Sequence, residues 1–142
     1  TMHFVSRVTS TSELVAGLSK TILFLKKLGH EVILVGDIPS YDIEPDSCKF
    51  GDSIEHIMRY CSMPQPQFQQ QRDIYEPTLL QLSSEFDLPF ITIHEPLCSA
   101  EDCSIVHDGN VLYRDRNHLN IPGSIMIGGY LSSRFEALKI AN

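Results

Sequence analysis

Glu31-Val32-Ile33-Leu34-Val35-Gly36 is the stretch on which the fold turns. Its four consecutive apolar residues, three of them β-branched, suit a strand covered on both faces, because alternate side chains point to opposite sides of a sheet. An amphipathic helix stands just before it. Thr9, Ser10, Thr11 and Ser12 offer N-caps ahead of Glu13, then Leu14, Leu18, Ile22 and Leu25 recur at helical spacing until Gly29 ends the run. A helix that leads at once into a buried strand predicts α/β organisation around a parallel sheet. Leu88-Pro89-Phe90-Ile91-Thr92-Ile93 repeats the signal as a second buried strand.

Between these strands, Pro39, Pro45, Pro64 and Pro66 punctuate a long loop with one short helical candidate, Ser53 to Arg59. Gln67 to Phe86 then reads as a helix interrupted or restarted at Pro77, with Leu79, Leu80, Leu82 and Phe86 facing inward. Asp108-Gly109 lies between Ile105-Val106-His107 and Val111-Leu112-Tyr113, the pattern of a tight hairpin. A final helix from Pro122 to Ile140 carries Ile125, Ile127, Leu131, Phe135 and Leu138. Two strands are few for a doubly wound sheet, so the chain reads as lacking strands at its N-terminal side.

With 142 residues, 42% of them hydrophobic, one compact domain around one core is expected. The formal charge of -7, with eleven scattered Lys and Arg, argues against nucleic acid as a partner, since phosphate backbones are held by clustered cations. No apolar run reaches the ~18 residues of a membrane span, and Thr1 to Arg7 lack the sections of a signal peptide. Cys48 and Cys61 form one local pair and Cys98 and Cys103 another, each among turn-forming residues. That placement favours two loop-closing disulfides in an oxidising compartment, with buried thiols or a metal site as alternatives; the absence of a CxxC spacing weighs against zinc.

The chemistry concentrates in Tyr113-Arg114-Asp115-Arg116-Asn117-His118-Leu119-Asn120. An acid three residues before a histidine, in a loop that feeds a helix, can take the Nδ1 proton and leave Nε2 facing outward. Asp115 would thereby fix the tautomer of His118 and stabilise the imidazolium formed when it removes a proton from a hydroxyl. The bland account of the same pair is a surface ion pair at the helix entrance. Gly51-Asp52-Ser53 spells a nucleophile motif, but no buried strand precedes it, so Ser53 reads as a helix N-cap. His94 and Glu95 follow the second strand, where α/β sheets place ligand sites, yet a satisfied core or loop histidine is the plainer reading. His107 in the hairpin can approach the site, His3, His30 and His56 read as surface residues, and Arg114 and Arg116 as solvent-facing ones.

The string LYRDRNHLNIPGS resembles the last block of SGNH hydrolases, and specifically the SGNH domain fused behind the family-three membrane acyltransferases that O-acetylate cell-surface sugars. Val32 to Val35 running into Asp37-Ile38-Pro39, Cys48, the Pro96-Leu97-Cys98 turn and Cys103 agree with it. The resemblance implies a flavodoxin-like three-layer α/β/α fold, with residues 1–142 as the C-terminal part of one such domain. It also implies serine-type acyl transfer to a carbohydrate hydroxyl on a periplasmic or outward-facing domain, with His118 as base and Asp115 as its acid. The acceptor would be a carbohydrate, an upstream membrane acyltransferase domain a partner, and no cofactor or metal is implied. The family's nucleophilic serine and its oxyanion-hole glycine and asparagine precede the helix with which this sequence opens, so they map to no residue here. A carbohydrate esterase and a noncatalytic, disulfide-stapled binding module are the rival readings, and an open edge beside Val32 to Val35 suggests self-association.

Overall fold

Helix α1 (Thr11–Lys27) is the first element of the computed structural model, which describes residues 11–49, 53, 55 and 60–141. Its end is fixed by Gly29, which adopts φ 82° while the Gly29 and His30 amides donate to the carbonyls of Lys26 and Leu25 at 3.0 and 3.1 Å. This is a Schellman closure, and it needs a left-handed residue where glycine stands. Strand β1 (Leu34–Val35) follows, then a 3-10 turn (Pro45–Cys48), β2 (Ser62–Pro64), α2 (Gln65–Phe86) and β3 (Phe90–Ile91). A second 3-10 turn (Glu95–Leu97), β4 (Asp102–Ser104), β5 (Val106–His107), β6 (Asn110–Val111) and α3 (Ile121–Ala141) complete the order.

Backbone contacts divide the chain into two compact units, Thr1–Leu34 with Glu76–Phe90, and Val35–Tyr75 with Ile91–Asn142. Instead of the single core expected, each has its own. In the first, Ile22, Leu82 and Leu88 are buried against Val15, Leu18, Val32, Leu34 and Phe86, and the Lys26 ammonium donates to the Phe86 carbonyl at 2.8 Å. In the second, Tyr41, Met63, Phe68, Leu97, Ile105, Leu112, Tyr113 and Ile127 surround the half-cystines Cys48, Cys61 and Cys103. Both expected disulfides are formed, Cys48–Cys61 and Cys98–Cys103.

The strand pair is shorter and less covered than the sequence suggests. β1 pairs with β3 in a two-stranded ladder. The Leu34 amide donates to Pro89 O at 2.9 Å and the Gly36 amide to Ile91 O at 2.8 Å, advancing together along both strands as in a parallel pair. Val35 is nonetheless 37% exposed, because among the described residues this ladder of two short strands has no further strand beside it to cover it. β2 and β4 pair antiparallel with Met63 opposite Cys103. The β5–β6 hairpin forms as expected, its turn residues Asp108 and Gly109 both at positive φ, 47° and 75°, the primed geometry that matches strand twist.

Three helix expectations need correction. α2 runs unbroken through Pro77, where the lost hydrogen bond is set against the full burial of Leu82 one turn further on. Leu80, assigned inward with Leu79, is exposed, as are Leu14 and Ile125 of the helical periods, while their neighbours Val15, Leu79 and Met126 are half-buried. α3 begins at Ile121, placing Pro122 in the first turn, where its missing N–H costs nothing. Gly51, Asp52 and most of the helix expected from Ser53 to Arg59 lie outside the described residues, as does the capping assigned to Ser53, which is exposed.

Candidate active site

The loop between β6 and α3 is closed at its base and open at its tip. Tyr113 and Leu119 form an antiparallel bridge, and the Arg114 amide donates to the His118 carbonyl at 2.8 Å. Within this narrow loop the Asp115 carboxylate turns back on its own backbone, Oδ1 accepting the amides of Asn117 and His118 at 3.2 and 2.9 Å. Aspartate is suited to this, because its short side chain reaches backbone two or three residues ahead.

The same oxygen lies 2.8 Å from Nδ1 of the His118 ring. Oδ2 takes the Arg114 guanidinium, whose Nη2 and Nε stand 3.3 and 3.4 Å away. Partial desolvation pushes the Asp115 carboxyl up, but the Asn117 and His118 amides, the His118 ring and Arg114 together outweigh it and lower its pKa to about 2. An ionised Asp115 accepts only, so Nδ1 must carry the proton and donate. Nε2 is then the basic nitrogen. The His118 side chain is 59% exposed, and among the described residues nothing hydrogen-bonds to Nε2.

Anchoring comes from the segment that leaves β1. The Tyr41 amide donates to the Arg116 carbonyl at 2.8 Å, and Arg116 Nε donates to Glu44 Oε1 at 2.7 Å. Buried Tyr113 donates its hydroxyl to Pro39 O at 3.0 Å and meets Tyr41 edge to face, ring centroids 5.1 Å apart. Burial pushes both phenols up, so they remain neutral. On the helical side, Asn120 caps α3, its Oδ1 accepting the Gly123 amide at 3.0 Å while Nδ2 donates to Val111 O at 2.6 Å. Gly123 has no room for a side chain, since a Cβ would stand 2.2 Å from Leu112 O.

Asp115 and His118 are therefore brought together as the spacing suggests. The remaining candidates are not joined to them. His94 is half-buried with its ring 4.9 Å from Phe68, His107 sits 3.4 Å from Asp108 at the hairpin tip, and His30 is exposed. His3 and His56 lie outside the described residues. Arg114 and Arg116 are solvent-facing as expected, although each holds a carboxylate. Glu44, Tyr41 and Asn120 escaped the sequence reading. Only Asn120 left a signal there, an Asx residue directly before Ile-Pro-Gly at a helix start.

Such an arrangement can take a proton at Nε2 from a hydroxyl placed against the open face and return it to a leaving group. Among the described residues no group of three or more His, Cys, Asp and Glu side chains is arranged to hold a metal ion, and no helix is long and apolar enough to cross a membrane. In comparison with known proteins, a family model described as the SGNH domain (fused to AT3 domains) matches residues 3–132. No curated protein and no solved structure matches.

Proposed function

The chain belongs to the family of SGNH domains fused to AT3 domains, and from that premise we propose that it takes part in moving an acetyl or similar acyl group onto a carbohydrate hydroxyl. The family carries acyl-transfer or esterase-like chemistry, and the mixed helix and small-sheet content fits its α/β class. In this reading His118 is the general base, Asp115 orients it and stabilises the imidazolium, and serine and oxyanion donors are supplied by sequence N-terminal to Thr1. The three-layer flavodoxin-like arrangement and an outward-facing location beside the AT3 domain belong to the same proposal. The observation that carries it is the 2.8 Å contact between Asp115 Oδ1 and His118 Nδ1, made in a loop that leaves Nε2 facing solvent.

A base without its nucleophile gives little, because serine-type catalysis depends on its parts acting as a unit. The 142-residue chain should accordingly show no appreciable turnover of p-nitrophenyl acetate. Robust turnover that Ser53→Ala abolishes would overturn the reading, since it would make exposed Ser53 the nucleophile.

A further inference from the structure

Tyr113 does more than fill space. We propose that it is a positioning residue for His118, holding the base in register through its hydroxyl; this rests on the reading of Asp115 and His118 as acid and base. Arg114, Arg116, Asn117 and His118 are all exposed, so burial does not hold the tip of their loop. Tyr113, two residues before the acid, is 1% exposed. A phenylalanine would fill the same volume, yet a hydroxyl is present and donates to the carbonyl of fully buried Pro39. Its acceptor is well chosen. The next residue, Ser40, is clamped through both backbone groups by Gln71, whose Oε1 accepts the Ser40 amide at 3.0 Å and whose Nε2 donates to the Ser40 carbonyl at 2.6 Å. The Tyr75 hydroxyl accepts the Asp37 amide at 3.2 Å. Residues 37–40 are thus a shelf fixed to α2, and Tyr113 ties the base loop to it by a directional bond that α2 keeps in place.

Tyr41 supplies a matched control. It is buried in the same cluster and touches the Tyr113 ring, and its hydroxyl makes no well-aligned hydrogen bond among the described residues, although it lies near enough to the Tyr113 hydroxyl to interact with it. Removing the Tyr41 hydroxyl leaves the bond from Tyr113 to Pro39 in place and should therefore disturb the base loop less than removing that of Tyr113, which should free it.

The test is ring-nitrogen NMR of 15N-histidine-labelled chain at about pH 8, where an ordinary histidine is neutral. In the unmodified chain the His118 ring should show one tautomer, protonated at Nδ1. Tyr113→Phe should move both ring nitrogens toward averaged shifts, and Tyr41→Phe, which keeps the bond to Pro39, should move them less. With the domain joined to its AT3 partner, Tyr113→Phe should lower kcat for acyl transfer by about fivefold, the value of one hydrogen bond, with KM unchanged. Unchanged His118 signals in a folded Tyr113→Phe chain would overturn the proposal. Should that variant fail to fold, Gln71→Ala, which frees the shelf from the other side, decides in its place: averaged His118 signals support positioning and unchanged ones overturn it. Asp115→Asn separates the two levels. If it leaves the ring signals unchanged, the acid and base reading fails; if it averages them while Tyr113→Phe does not, only the role of Tyr113 fails.

Discussion

Alanine in place of Gly123 should destabilise the protein, although the same change about one and a half turns further along α3 should stabilise it. At position 123 the added Cβ would stand 2.2 Å from Leu112 O and 3.0 Å from Leu119 Cδ2. The first of these is backbone, so no rotamer change relieves it. Leu112 O also accepts the Asn120 amide at 2.9 Å, so displacing it disturbs the helix cap as well. Overpacking of this kind costs ~1–3 kcal/mol and a weakened cap adds ~1 kcal/mol, against a helix-propensity gain of ~0.5–1 kcal/mol for replacing glycine. The net is a loss of about 2 kcal/mol, which at a urea m-value of ~2 kcal/mol/M lowers the unfolding midpoint by about 1 M. At Gly128 and Gly129 an added Cβ would meet nothing within 4 Å, so alanine there should raise the midpoint by ~0.3–0.5 M each. Equilibrium urea unfolding followed by circular dichroism measures all three. A Gly123→Ala protein as stable as Gly128→Ala would refute the close approach of α3 to Leu112.

Asn120→Ala should cost ~1–2 kcal/mol in the same assay, since it removes the cap on Gly123 and the bond to Val111 O together; a loss below a few tenths would contradict the cap. Denatured, unreduced chain should titrate no thiols with Ellman's reagent, and opening Cys48–Cys61, which closes a separation of 13 residues, should cost about 3 kcal/mol. The Asp115 carboxyl is lowered from 3.8 to about 2. Its folded-state pKa lies below the unfolded value, so its contribution is complete above the unfolded value and disappears as pH falls through the folded one. The melting-temperature difference between the unmodified chain and Asp115→Asn should shrink between about pH 4 and pH 2, and parallel melting curves across that range would argue against the interaction.

Local chemistry was legible in the sequence, and coverage was not. A three-residue spacing suffices to put Asp115 on His118, because the bonds involved lie within one loop. Asp108-Gly109 announced its hairpin and Gly29 its helix end, since positive φ is demanded by the local geometry. Burial is decided elsewhere. Val32 to Val35 carries the composition of a strand covered on both faces, but coverage depends on neighbouring strands, and among the described residues β1 has one. Leu14, Leu80 and Ile125 fit a helical period as well as the residues actually buried, because a 3.6-residue repeat leaves the phase of the inner face to tertiary packing. The ties from Tyr41 and Glu44 to Arg116 span more than 70 residues and leave no periodic trace; only the fold could reveal them.

His118 is proposed to act as a base through its pairing with Asp115. The most direct measurement is the rate of acyl transfer to a carbohydrate acceptor by the domain joined to its AT3 partner, compared with the His118→Ala and Asp115→Asn variants at equal folded concentration. His118→Ala should lose ~10²–10⁴ in kcat, the usual contribution of a positioned general base, and Asp115→Asn should lose a large part of the same factor with little change in KM. A His118→Ala protein that transfers within a few-fold of the unmodified rate would contradict a role for His118 as the base.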